Sequence, residues 1–189
     1  MNPLQYTKMP FSFHAGWDRI VNIHPKVIRT FLLLVLPFSL IPPATLLYTG
    51  NHHLSVWLQN DTNSDWLAVA IIFFIAELLT VPMMGWVIKH NASKYNLDVS
   101  FKDTYLLAAI IAVPMWLSSL GLLATSVWMT IGLAIAGLAL AASLLYHGLY
   151  AELKMEDRFE AQSLSYEIFS LGGAVWVMLC VFLVVPLIK

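Results

Sequence analysis

Cysteine is almost absent from this chain. Cys180 alone can form neither a disulfide framework nor a thiolate metal site, and inside an apolar run it is expected to be a small packing residue. Charge is scarce too: Asp, Glu, Lys and Arg make up 11% of the residues and sum to −1. With no basic excess there is no electrostatic footprint for a phosphate backbone, which excludes nucleic acid as a partner. Gly-rich phosphate loops, a nucleophile elbow and a His-Glu-x-x-His helix are all missing, so no enzyme is expected and no catalytic residue stands out. No cofactor is implied. His52-His53 is no metal pair, because adjacent positions rarely converge on one ion and no third ligand is in view; a solvated loop is expected there. Residues 11–29, broken by His14, Asp18, Arg19, Asn22, His24 and Pro25, lack a signal-peptide cleavage pattern, so the first apolar run is expected to stay in the mature chain.

What the chain does have is long apolar runs, with 59% of residues hydrophobic. Residues 104–123 and 127–150 are each long enough, at ~1.5 Å per helical residue, to cross a hydrocarbon layer of ~30 Å. Only Ala124–Thr125–Ser126 separate them, which allows an antiparallel helical hairpin. Lipid offers the backbone no hydrogen-bond partners, so such runs must be helices. Further runs at about 27–47, 66–87 and 168–187 complete an all-α, polytopic membrane protein: a five-helix transmembrane bundle over residues 30–189. Ahead of it, residues 1–29 form a cytosolic segment in which Phe11, Phe13, Trp17, Ile20, Val21, His24, Val27 and Ile28 recur near helical spacing, as in a short interfacial amphipathic helix. Pro37, Pro42 and Pro43 should kink or unwind the outer third of the first span.

Nine of the ten Lys and Arg fall in residues 1–29, in the loop at 88–103 or in the segment at 151–167. By the positive-inside rule those segments are cytoplasmic. Five crossings then place the N-terminus inside and the C-terminus outside.

One acidic residue lies within a span. Glu77 is about eleven residues past Trp66, hence ~16 Å deep and close to the bilayer midplane. An acidic side chain there costs ~2.5–3.5 kcal/mol on insertion scales, so it should face the bundle, carry its proton or have a partner. Pro82 frees the carbonyl of Leu78 beside it and would break the helix there, as in ion sites of transporters. The alternative is a structural staple, with Glu77 bonded to a freed carbonyl or to Thr80, Ser118 or Ser119. His147, in Tyr146-His-Gly-Leu-Tyr150, could titrate near neutrality or simply belong to an aromatic belt with Tyr146 and Tyr150. Helix-packing faces are offered by Gly132, Ala136, Gly137 and Ala141 in the fourth run, by Gly148 at its end, and by Gly172-Gly173 in the last.

Several short motifs carry a family likeness: Ala112-Val113-Pro114, Leu117-Ser118-Ser119-Leu120, Leu144-Leu145-Tyr146-His147-Gly148-Leu149 and, upstream, Arg19 through Thr30 with Pro25. Together they resemble the Yip family (Ypt/Rab-interacting proteins), over nearly the whole chain in order and span count. The long cytosolic N-terminal domain and the Asp-Leu-Tyr-Gly-Pro motif of eukaryotic members are not present, so the resemblance points to a short prokaryotic member in a bacterial inner membrane, and Rab binding is not carried over. It implies a non-catalytic, membrane-organising or trafficking-type adaptor acting on a cytosolic protein partner through residues 11–29, 88–103 and 151–167. The competing reading is a small channel or proton- or ion-coupled transporter centred on Glu77, with Pro82, Pro114, Ser118, Tyr146, His147 and Gly148 as further candidates. Either would sit in a lipid bilayer, with homo-oligomers held by the small-residue faces.

Overall fold

The computed structural model describes residues 9–11, 16–20, 22, 24–52, 66–124, 126–152, 155 and 157–188; for Arg19, Glu152, Arg158, 179–180 and 182–188 it describes the backbone path alone. Every regular element among them is helical: α1 (Trp17–Ile20), α2 (Val27–Thr30), a π turn (Phe31–Val35), α3 (Leu36–Ser39), α4 (Ile41–His52), α5 (Trp66–Ala92), α6 (Phe101–Ser118), α7 (Val127–Glu152) and α8 (Arg158–Ile188). Four stretches are long and apolar enough to cross a bilayer: Val27–His52, Trp66–Tyr95, Phe101–Leu123 and Val127–Ala151. The chain is an all-α polytopic membrane protein. Large apolar side chains turned outward, such as Leu33 and Leu79 at 65% exposure each, fit lipid as the surrounding solvent.

The first crossing is not a straight rod. Pro37 has no N–H for the Leu33 carbonyl, and just before it the backbone winds wider, with the Leu36 N–H bonding back to the Phe31 carbonyl. A second interruption falls at Leu40. Beyond it, Pro42 and Pro43 occupy the opening turn of α4, where a missing donor costs little, so the outer third remains helical to His52. The expected unwinding is therefore displaced inward. Residues 53–65, the larger part of the loop that follows, including His53 and Asn60, lie outside the described residues.

α6 and α7 form the central hairpin, closed at its tip by the Thr130 hydroxyl, which donates to the Gly121 carbonyl at 2.6 Å. Gly137 lets them approach closely: a Cβ there would lie 2.7 Å from Ser118 Cβ and 2.9 Å from the Pro114 carbonyl oxygen. α4 is tied to the same tip by Thr49, whose hydroxyl donates to the Leu122 carbonyl at 3.0 Å.

Packing is densest at the charged end. Ile88, Leu107, Leu149, Leu164 and Ile168 are all essentially inaccessible there, and Trp17 joins them at 0% exposure. In the N-terminal segment the described α-helix is one turn, and the Trp17 indole is seated inside the bundle, donating to the Met9 carbonyl at 3.1 Å. Gly148 makes that seat, because a side chain in its place would run into Trp17 and Leu107. α6 starts on a local cap. Ser100 accepts from the Asp103 N–H and donates to Asp103 Oδ2 at 2.7 Å, which leaves Asp103 Oδ1 free to hold His24 Nδ1 at 2.8 Å. His24, immediately before Pro25, is thereby held with φ 39, in a region that non-glycine residues seldom adopt.

Candidate functional site

The candidate residues separate into two places. The first is a cavity of about 590 Å³ between the helices, with walls from α4, α5, α6, α7 and α8. Glu77 and Ser118 line it, as do the packing candidates Ala141, Gly172 and Gly173. The second is the charged end, where Tyr146, His147 and Gly148 close α7.

Glu77 faces the bundle and is 9% exposed. Trp116, on α6, donates its indole N–H to the carboxyl group, while Oε2 is buried with no hydrogen-bond partner among the described residues. The hydroxyls expected to serve Glu77 are engaged elsewhere: Thr80 donates to the Ala76 carbonyl at 2.7 Å, Ser118 to Met115 at 2.7 Å and Ser119 to Trp116 at 2.6 Å. Each satisfies a carbonyl of its own helix first, as Ser and Thr commonly do in such segments. Trp116 was not legible as the partner, because a tryptophan in an apolar run reads as packing. Pro82, one turn on, does not break the helix; α5 runs unbroken from Trp66 to Ala92. Packing against the adjoining helices is what lets an interior proline be carried in a membrane helix.

Pro114 and Ser118 meet Gly137 at the α6–α7 crossing. Ala136 is exposed, and Gly132 has open space beside it, so neither packs against the described residues of other helices. On α8, Gly172 faces the tip of Met84, and Gly173 has nothing within 4 Å.

At the charged end, the His147 Nδ1–H donates to the Ser143 carbonyl at 2.8 Å, and its ring meets Tyr146 edge-on at 5.3 Å. Ser143 itself donates to the Pro10 carbonyl, fastening the N-terminal segment to α7. Lys94 reaches Glu167 at 3.3 Å, and the Tyr95 hydroxyl donates to Ser163 at 3.3 Å. Three segments far apart in sequence therefore share one polar face. Asn91, near the end of α5, is buried and donates its side-chain amide to the Val87 carbonyl at 3.0 Å. Among the described residues no group of three His, Cys, Asp or Glu could hold a metal ion.

A family model described as the Yip1 domain matches residues 9–185. The chain belongs to the Yip1 domain family. No curated protein and no solved structure matches it. The Yip1 domain takes in both places just described: the matched region begins at Met9, whose carbonyl receives Trp17, and runs past the cavity-lining part of α8.

Proposed function

We propose that this Yip1-domain protein is a non-catalytic adaptor of the membrane-organising or trafficking type, whose charged end is the contact surface for a cytosolic protein. The observation that carries the reading is the convergence of three segments on that end, through His24–Asp103, Lys94–Glu167 and Ser143–Pro10. A face assembled this way is preformed, which lowers the ordering cost of binding. It also presents exposed aromatics, Phe11 at 77%, Phe159 at 81% and Tyr166 at 63%, the residue type that anchors protein interfaces. On this reading the chain crosses a bacterial inner membrane five times, α8 being the fifth crossing, with the N-terminus cytoplasmic and the C-terminus outside. Gly132 and Ala136, left unpacked on α7, would serve contacts between copies.

The test has two arms. A photo-crosslinking residue at position 159 should capture a defined cytosolic protein, lost on Tyr166→Ala, whereas the same residue at the outward-facing position 128 should not. Vesicles holding the wild-type protein should show no proton or cation flux; flux abolished by Glu77→Gln would refute the adaptor reading and install the transporter one.

A further inference from the structure

We propose that the cavity between α5, α6, α7 and α8 is a binding site for a single-chain lipid whose polar end is a hydroxyl, held at Glu77. Its volume, about 590 Å³, lies within the ~300–1,000 Å³ usual for small-molecule pockets. Along α5 it extends from Phe73 to Ile88, about 22 Å at ~1.5 Å per residue, of which the part from Glu77 to Ile88, about 16 Å, suits an alkyl chain.

The lining is sorted by polarity. Toward the α6–α7 tip stand Glu77, Thr80, Ser118, Ser119 and Thr130 among apolar neighbours such as Leu46 and Leu122; toward the charged end the walls are apolar side chains such as Met84, Ile111, Leu138, Leu145 and Phe169. An amphipathic ligand would therefore place its head near Glu77 and its tail toward Ile88. Four of the five polar groups have already spent their hydrogens, Thr80 on Ala76, Ser118 on Met115, Ser119 on Trp116 and Thr130 on Gly121, so they offer acceptor lone pairs only. The fifth, Glu77, is nine-tenths buried on the cavity wall, with Oε2 unpartnered among the described residues. A buried polar atom of this kind leaves a hydrogen bond unmade that a ligand can complete.

The chemistry of the head follows. Among the described residues no Lys, Arg or His lines the cavity, so none of them would receive a phosphate or carboxylate. A cationic head would have to be desolvated together with the carboxylate, a costly pairing in an apolar setting. A neutral carboxyl group can donate and accept, while the surrounding hydroxyls can only accept. A neutral group that both accepts and donates answers these demands, and the smallest is an alcohol, which accepts from Glu77 and donates to a hydroxyl oxygen.

The experiment uses the full chain in nanodiscs, with hexadecanol carrying a mid-chain diazirine as the probe. Crosslinks should map to cavity-lining residues and be competed by unlabelled hexadecanol. Crosslinks that resist competition, or that map to outward residues such as Leu79, would mean general contact with lipid and overturn the proposal. Glu77→Gln keeps a neutral donor and acceptor and should bind within about threefold of wild type, whereas Glu77→Leu should lose about tenfold, the cost of one unsatisfied polar contact. If hexadecyltrimethylammonium outcompetes hexadecanol and Glu77→Gln abolishes binding, the site is a cation site and the proposal fails. Gly173→Leu provides the independent arm should Glu77→Leu not fold. A Cβ there meets none of the described residues within 4 Å, so the new side chain enters open space on the cavity wall, and crosslinking should fall at least tenfold with a monodisperse, normally melting protein. Unchanged crosslinking in that variant would refute the site.

Discussion

Gly148→Ala adds one methyl group at the point where the N-terminal segment meets the bundle. The added Cβ would lie 2.5 Å from Trp17 Cη2, and Leu107 is closer still, so neither neighbour can be left where it is. Forcing a methyl into such packing costs about 1–3 kcal/mol, and the upper bound is the ~3–5 kcal/mol of giving up a buried tryptophan altogether. Trp17 is the side that yields, since Leu107 belongs to a helix packed along its length, whereas α1 is one turn long. The perturbation should be read by denaturant titration in mixed micelles, together with limited proteolysis before residue 20. Gly148→Ala should lose stability within that range and become cleavable there while α6 and α7 remain protected. Trp17→Phe alone should cost about 1 kcal/mol or more, from the lost bond to the Met9 carbonyl and part of the ring. The double variant should fall short of the sum by about 1 kcal/mol, because the smaller ring vacates the space that the methyl needs. Strict additivity, or Gly148→Ala indistinguishable from wild type, would refute the contact.

Gly137→Leu should separate the central hairpin, lowering stability by about 2 kcal/mol or more, because its Cβ alone would already overlap Ser118; a thermal melt checks it. Thr130→Val should cost no more than about 1 kcal/mol, the usual scale for one hydrogen bond between membrane helices, and Thr49→Val similarly. Lys94→Ala should change stability by less than ~0.5 kcal/mol, since both partners of its ion pair are half-exposed, yet it should weaken partner capture at position 159 if the charged face is the contact surface. Gly132→Leu should leave the monomer fold intact and shift any self-association seen by single-molecule photobleaching, because that position has open space beside it.

Apolar run length made four crossings readable, and the three-residue link at 124–126 announced the central hairpin. Less of the site was legible. Glu77 stood out through its cost, but its donor did not, since nothing in a linear chain tells an indole that packs from one that also donates. The same ambiguity hid Trp17, whose periodicity fits a lipid-facing stripe and a buried anchor equally well. Pro82 was over-read, because the penalty for an interior proline depends on neighbours that a single helix does not reveal. Ser100 and Asp103 are ordinary capping residues; their link to His24 needs the third dimension.

The pocket for Trp17 is built by residues that leave the ribosome long after it does. Until the hairpin that carries Leu107 and Gly148 has entered the bilayer, the leading indole has nowhere to go and must wait at the water boundary. Docking of the leading segment would then report that the later helices have arrived and aligned. A nascent chain halted short of that point would carry a bare aromatic, a mark by which quality control could tell an unfinished copy from a finished one.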